Sequence, residues 1–239
     1  MHIASQFSQP RPDRPSRRSR RTAVRCGVAA AGAAIALLTA GPAAAAPVPV
    51  HTQTPGCMTP GDGVPNGKQW PAEPAMTVDP NAGYTATLQT NCGTITATLD
   101  AAAAPHTVNS FAFLAGEQYF DNTRCHRVTT EGIFVLQCGD PTGTGTGGPG
   151  YQFGDENLAG ATYPAGTLAM ANSGPNTNGS QFFLVYSDSQ LPPNYTPFGR
   201  ITDGMDVLQN IAAGGTKDGS GDGAPATDIV LGSVTTARR

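Results

Sequence analysis

Charged side chains are scarce in this chain, where they account for 13% of 239 residues. Their distribution is uneven: residues 1–46 contain seven arginines and one acidic residue, whereas residues 47–239 contain seven basic and sixteen acidic residues. Such an acidic body disfavours binding to nucleic acid, because contact with phosphates requires a cationic surface. The arginine-rich segment is more typical of a targeting signal.

The sequence also lacks a strongly apolar run of about 20 residues, the length that a membrane-spanning helix needs. The uncharged, alanine-rich run over residues 28–40 has thirteen residues and precedes a short stretch of glycine, proline and alanine. This order predicts a cleaved signal peptide over residues 1–46 and therefore a secreted protein. Two points stay open: an uncleaved signal would anchor the protein in the membrane, and export could use the Sec or the twin-arginine route.

Cysteine is rare as well, with five residues, and no two of the four beyond residue 46 lie two to four residues apart. Structural zinc sites usually require that spacing, so a metal site is disfavoured. Disulfides persist in the oxidising compartments that exported proteins reach. The disulfide candidates are Cys57, Cys92, Cys125 and Cys138, for which three pairings are open.

Common catalytic motifs are missing. The glycine-rich stretch at residues 143–150 lacks the Gly-Lys-Ser/Thr ending of a phosphate-binding loop. No Gly-x-Ser-x-Gly elbow of a serine hydrolase occurs, and the four histidines show no metal-ligand spacing. No cofactor is therefore expected.

The part of the chain after the signal divides into two segments. Residues 47–80 are rich in proline and glycine and show neither strand nor helix periodicity, which predicts a linker or an extended strap on the domain. Trp70, the only tryptophan, is expected to pack on the domain surface. The folded domain is predicted over residues 81–237.

Short strands dominate the predicted domain. Residues 84–99 alternate threonine with apolar residues around an Asn-Cys-Gly turn, which predicts a β-hairpin. Six further strand-like runs, separated by Gly/Pro/Asn clusters, predict the other strands. Residues 105–118 and 203–215 have apolar residues at helical spacing, the second behind an expected N-cap at Asp203. These elements predict an all-β fold: a closed eight-stranded antiparallel barrel capped by two α-helices.

Two segments carry the functional signal. Residues 125–140 have the sequence CHRVTTEGIFVLQCGD, and residues 168–183 have the sequence LAMANSGPNTNGSQFF. Together they resemble the signature of the cyclophilins, the peptidyl-prolyl isomerases with an eight-stranded barrel. The resemblance extends over roughly residues 84–234, and its motif is too long and ordered to arise by chance. It implies a cofactor-free isomerase of the exported bacterial type that acts as a monomer on proline-containing polypeptides.

The resemblance also implies roles for individual residues. Arg127 corresponds to the catalytic arginine of the family and Gln137 to the glutamine beside it. Val135 stands where the family commonly has methionine, and Tyr195 where it commonly has histidine. The implied walls of the proline pocket and of the substrate groove are Phe134, Val135, Ala171, Asn172, Gln181, Phe183, Leu191 and Tyr195.

The physical chemistry of prolyl isomerisation agrees with these roles. Rotation about an X-Pro bond crosses a barrier of ~18–20 kcal/mol, because amide resonance must be broken. A guanidinium directed at the prolyl nitrogen stabilises the twisted bond more than the planar one. Arg127 stays charged, and Gln137 can hold its planar fork. The alternatives are a proline-peptide binding module or holdase chaperone without turnover, and a secreted barrel for an unrelated ligand.

Two departures from the family pattern affect the site. The TTEGIF turn that follows Val128 is longer than usual by about two residues, which alters the wall beside Arg127. Many members have a tryptophan at the position of Gln190. Glutamine offers less apolar contact than an indole, so we expect weaker binding of cyclosporin, the inhibitor for which the family is known.

The resemblance favours one of the three possible disulfide pairings. If Arg127 and Gln137 converge on one pocket, Cys125 and Cys138 should lie opposite each other, within the ~4.4–6.8 Å Cα separation that a disulfide tolerates. Cys57 would then pair with Cys92 and tie the strap to the barrel. The alternative is buried, unpaired thiols, which behave as small apolar groups.

Overall fold

The computed structural model describes residues 54–239, so the predicted signal peptide and the first residues of the strap lie outside the described residues. The elements in chain order are β1 (Tyr84–Thr90), β2 (Gly93–Leu99), α1 (Pro105–Gly116), β3 (Thr123–Arg124), β4 (Arg127–Thr129), β5 (Val135–Cys138), β6 (Thr167–Met170), β7 (Phe182–Val185), β8 (Pro197–Asp203), α2 (Met205–Ala213), β9 (Asp222–Gly223) and β10 (Val230–Arg238). The antiparallel β structure with two helices is confirmed.

The strands form one sheet in the order β3-β10-β1-β2-β8-β6-β7-β5-β4-β9. The sheet therefore has ten strands, and within residues 54–239 its hydrogen-bonded order begins at β3 and ends at β9, unlike the closed eight-stranded barrel that was predicted. One predicted strand becomes two, because β3 pairs with β10 while β4 pairs with β5 and β9. The two-residue β9 has no apolar alternation and left no signal in the sequence.

The first helix packs on the sheet through the predicted apolar face. Val108, Phe111 and Ala115 are buried, at the spacing that places them on one side of α1. The ring of Phe111 lies 5.4 Å from that of Phe182 on β7 and 5.4 Å from that of Phe198 on β8. This contact between a helix and two strands that flank β6 in the sheet places aromatic rings in the main core.

The start of the second helix differs from the prediction. Gly204, and not Asp203, is the N-cap of α2, and no side chain caps the helix. Asp203 still belongs to β8 and pairs with Thr96, so the chain must turn sharply within one residue. Gly204 makes that turn at a φ of 82°, and a Cβ at this position would collide with the carbonyl oxygen of Thr94.

The strap contacts the domain over its described length. The Trp70 ring lies 5.1 Å from the ring of Phe113 and 5.7 Å from that of Tyr119, and its backbone N–H donates to the carbonyl of Pro149. The expected surface packing of Trp70 is confirmed. Within residues 54–239 no helix combines the length and the apolar character that a membrane crossing requires.

Both expected disulfides are present. Cys57 is bonded to Cys92 and Cys125 to Cys138. The Cα separations are 3.9 and 4.0 Å, slightly shorter than the expected range. The second bridge lies directly beyond the paired residues of β4 and β5, so it connects the two strands where their ladder ends.

The stability that each bridge contributes should rise with the logarithm of the length of chain it closes. Cys125 and Cys138 are 13 residues apart, and the chain-entropy model gives about 3 kcal/mol for a loop of this size. Replacing both with alanine should lower the free energy of unfolding in urea by that amount while the domain stays folded. The matched pair Cys57 and Cys92, 35 residues apart, should cost about 4 kcal/mol. An unchanged urea midpoint in both double variants would contradict this expectation.

Candidate active site

The two predicted catalytic residues meet on neighbouring strands. Arg127 of β4 is the cross-strand partner of Gln137 of β5, so their side chains leave the sheet on the same face. Nη1 of Arg127 donates to Oε1 of Gln137 at 3.2 Å. The convergence that the sequence implied is therefore present, and the β4–β5 pairing produces it.

Gln137 also forms a hydrogen bond with a second glutamine. Its Nε2 donates to Oε1 of Gln181 at 2.9 Å, and Nε2 of Gln181 donates to the carbonyl of Gly147 at 2.9 Å. Each amide accepts at its oxygen and donates at its nitrogen, so the orientation of both side chains follows from the cation at one end. The predicted groove residue Ala171 joins here, since its N–H donates to the carbonyl of Gln181.

Asp222 is the site residue that the sequence analysis missed. Nε and Nη2 of Arg127 donate to the two carboxylate oxygens of Asp222, both at 2.6 Å. The side chain of Arg127 is 16% exposed and that of Asp222 is 51% exposed. The only available signal was chemical, because a mostly buried cation requires an anionic or polar partner. The Gly-rich segment around Asp222 resembles any solvent-exposed loop.

A separate apolar cluster lies beside the polar residues. Phe183 is paired with Gln137 across β5 and β7, so the ring and the amide share a face. The ring of Phe183 lies 5.7 Å from that of Tyr195 in an edge-to-face arrangement. The cluster comprises Val135, Tyr163, Ala169, Ala171, Phe183, Val185 and Tyr195, with Ile133, Ala161 and Leu191 packed against it.

Neighbouring residues on these strands face opposite sides. Phe182 belongs to the main core, whereas Phe183 belongs to the cluster beside Gln137, as the alternation of a strand requires. Phe134 is not part of that cluster. Its ring lies 5.8 Å from Tyr186, so the structure does not bring it together with the other predicted pocket residues.

The polar residues line an open groove with a volume of about 1190 Å³. Of the predicted residues, the groove is lined by Arg127, Gln137, Ala171, Asn172 and Gln181. Ala171 belongs both to this lining and to the apolar cluster, so the two regions are continuous. Asn172 is held in place, since its Nδ2 donates to the carbonyl of Asn194 at 2.7 Å. Gln69 extends the lining from the strap.

The loop that follows β5 is organised by one buried carboxylate. Asp140 accepts hydrogen bonds from the N–H groups of Thr142, Gly145 and Gly147, among others. Burial acts to raise the pKa of Asp140, but the bonds from Thr142 and from the backbone hold that pKa below its ordinary value. The charged carboxylate therefore fixes the loop whose Gly147 carbonyl accepts from Gln181.

His126, next to Arg127, also lines the groove. Burial lowers its pKa, and the neighbouring positive charge of Arg127 lowers it further, against the opposite effect of Asp140. Nδ1 of His126 is buried without a hydrogen-bond partner. A neutral imidazole is therefore favoured beside the guanidinium, which leaves the positive charge of this region on Arg127. Within residues 54–239 no group of three or more potential ligands is arranged to hold a metal ion.

Comparison with known proteins assigns this arrangement to a family. Residues 85–236 match the family model described as cyclophilin type peptidyl-prolyl cis-trans isomerase/CLD. The chain belongs to the cyclophilin family. The matched segment of this cyclophilin contains the β4–β5 pair, Asp222 and the groove-lining residues other than Gln69.

Several curated relatives are similar to this cyclophilin. It is 50% identical over 184 residues to a probable peptidyl-prolyl cis-trans isomerase B of Mycobacterium leprae, covering 71% of this chain and 60% of the relative. The corresponding protein of Mycobacterium tuberculosis is 46% identical over 185 residues, covering 72% of this chain and 58% of the relative. The cyclophilin thus spans about three fifths of the length of these relatives.

Solved structures show the same fold. A cyclophilin type peptidyl-prolyl cis-trans isomerase of Cryptosporidium parvum matches with a TM-score of 0.59 and 32% identity, over 65% of this chain and 98% of that protein. A second crystal structure of that protein, obtained in the presence of the dipeptide Ala-Pro, matches with a TM-score of 0.58 and 32% identity, over 64% of this chain and 98% of that protein.

The apolar cluster makes a testable distinction between Phe183 and Phe182. Both rings are buried, so replacing either with alanine should lower the free energy of unfolding by about 3–5 kcal/mol. Only Phe183→Ala should also weaken binding of a proline-containing peptide, measured by titration well below the unfolding temperature. Equal loss of peptide affinity in both variants, or none in Phe183→Ala, would remove Phe183 from the pocket.

Proposed function

We propose that this cyclophilin catalyses the cis–trans isomerisation of X-Pro peptide bonds in exported polypeptides. One observation carries the proposal: the guanidinium of Arg127 is held at the wall of the groove, on the same face as the buried ring of Phe183. The structural neighbour studied with Ala-Pro supports proline-containing peptides as the substrate class of this chain as well.

The chemistry follows from the properties of the prolyl amide. In the planar ground state the nitrogen lone pair is delocalised into the carbonyl, and it localises on nitrogen only as the bond twists. A fixed N–H donor that meets the localised lone pair therefore stabilises the transition state more than the ground state. Arg127 supplies such a donor without any covalent step or change in protonation.

The hydrogen bond from Arg127 supplies only part of the rate acceleration. One charge-assisted hydrogen bond contributes about 1.5–3 kcal/mol, which corresponds to roughly 10- to 150-fold in rate. The remaining acceleration must come from binding the prolyl ring in a twisted geometry on a dry apolar surface. Phe183 and its neighbours in the apolar cluster provide that surface.

We further propose that the protein is secreted through the signal predicted over residues 1–46 and acts as a monomer without nucleic acid. The two disulfides support secretion, because such bonds persist in oxidising compartments and are rare in the cytosol. The surplus of acidic residues beyond residue 46 supports a role that involves polypeptides and not phosphate backbones.

Arg127→Ala should lower kcat/KM by about ten-fold or more, because the transition state loses its charge-assisted donor. The measurement is a protease-coupled isomerisation assay on a peptide with one X-Pro bond. Arg124→Ala is the matched control, since Arg124 is an exposed arginine three residues away that pairs with Asp228. Equal rates for wild type and Arg127→Ala would show that catalysis does not depend on Arg127. Peptide binding without turnover by the wild type would indicate a binding module or holdase.

We also propose that cyclosporin binds this cyclophilin more weakly than members with a tryptophan at the position of Gln190. Gln190 is exposed, so an indole there would add apolar contact without disturbing the core. Gln190→Trp should therefore strengthen binding in a titration, and Ser187→Trp, at an exposed position nearby, is the control. An affinity equal to that of tryptophan-bearing members before the substitution would refute the idea.

A further inference from the structure

We propose that Asp222 is a positioning residue that orients the Arg127 guanidinium for isomerisation. The inference rests on the proposed function of Arg127 and adds the group that holds it. Asp222 lines the same groove as Arg127 and Gln137, but its contacts are directed at the guanidinium.

The geometry of the pair restricts the guanidinium more than one hydrogen bond would. The two carboxylate oxygens accept from Nε and Nη2, both at 2.6 Å, and Gln137 accepts from Nη1 at 3.2 Å. A bidentate pair fixes the plane of the fork as well as its position. Of the five N–H groups of Arg127, three are used in these contacts, so one on Nη1 and one on Nη2 remain for a peptide in the groove.

Asp222 is itself held by the sheet and by a structured loop. It belongs to β9, where it is the cross-strand partner of Thr129 on β4. Its carbonyl accepts from the hydroxyl of Ser220 at 2.9 Å. The N–H of Thr130, at the start of the long turn after β4, donates to the carbonyl of Gly221 at 2.8 Å. The turn that departs from the family pattern thus contacts the loop that carries the carboxylate.

The side chain of Arg127 is more buried than that of Asp222, so Arg127 depends more on the ion pair than Asp222 does. Asp222 is half exposed and water can solvate it, whereas Arg127 is only 16% exposed. Removing the carboxylate would leave a mostly buried guanidinium with Gln137 as its remaining described side-chain partner, free to adopt other rotamers. Since catalysis requires the donor at one place relative to the prolyl nitrogen, this freedom should lower kcat more than it changes KM. If partial neutralisation by the carboxylate dominated, its removal would raise kcat instead.

The experiment compares Asp222→Ala and Asp222→Glu with wild type in the isomerisation assay. Asp222→Ala should lower kcat by about five- to ten-fold, which corresponds to about 1–1.4 kcal/mol at 1.36 kcal/mol per decade, with KM within about two-fold. Asp222→Glu keeps the charge and both acceptor oxygens and should recover part of kcat. The control is Asp228→Asn, because Asp228 is also a partly exposed carboxylate that pairs with a basic residue, Arg124, but lies outside the groove lining. It should leave kcat unchanged.

A double-variant cycle separates positioning from a structural effect. If Asp222 acts through Arg127, adding Asp222→Ala to Arg127→Ala should cause no further loss of kcat. An unchanged or raised kcat in Asp222→Ala, or the same loss in both backgrounds, would overturn the inference. These outcomes differ from failure of the proposed function, in which the wild type has no activity or Arg127→Ala retains the full rate.

Discussion

The site depends on one continuous chain of hydrogen bonds. It begins at the Asp222 carboxylate, passes through Arg127, Gln137 and Gln181, and ends at the carbonyl of Gly147. Each side chain in this series is hydrogen-bonded to the next, so a rotation of any one of them would break a hydrogen bond in a partly buried place. The chain connects β9, β4 and β5 to the loop organised by Asp140. Strand pairing and loop structure therefore together fix the orientation of the Arg127 guanidinium.

The apolar part of the site is formed by side chains that exclude water. Alternate residues of β5 and β7 face two different clusters, so one sheet supplies both the main core and the pocket face. Phe182 packs against Phe111 of α1 in the main core, while Phe183 packs against Tyr195 in the apolar cluster that meets the groove at Ala171. Because both rings belong to a single β-strand, the stability of the core and the geometry of the pocket are coupled through its backbone.

Local patterns were predictable wherever one residue type is repeated at a regular spacing. The β1–β2 hairpin, both helices and the packing of Trp70 follow from alternation, helical periodicity and the need to bury an indole. The N-cap of α2 was not predictable, because it depends on how far β8 extends and on the proximity of Thr94 to Gly204. The strand count was missed for a similar reason. Residues 124–128 (RCHRV) form one strand-like run in the sequence, but this part of the chain changes pairing partners in the sheet.

The sequence by itself determined the type of fold, the resemblance to the cyclophilins and the expectation that Arg127 and Gln137 converge, because those conclusions rest on local periodicity and on an ordered motif. Only the tertiary structure decided that Asp222 pairs with Arg127 and that the ring of Phe134 packs against that of Tyr186. Asp222 is 95 residues from Arg127 along the chain and reaches it through the pairing of a two-residue strand. Contacts of this kind are set by the pairing of strands that lie far apart along the chain, and no local pattern encodes them.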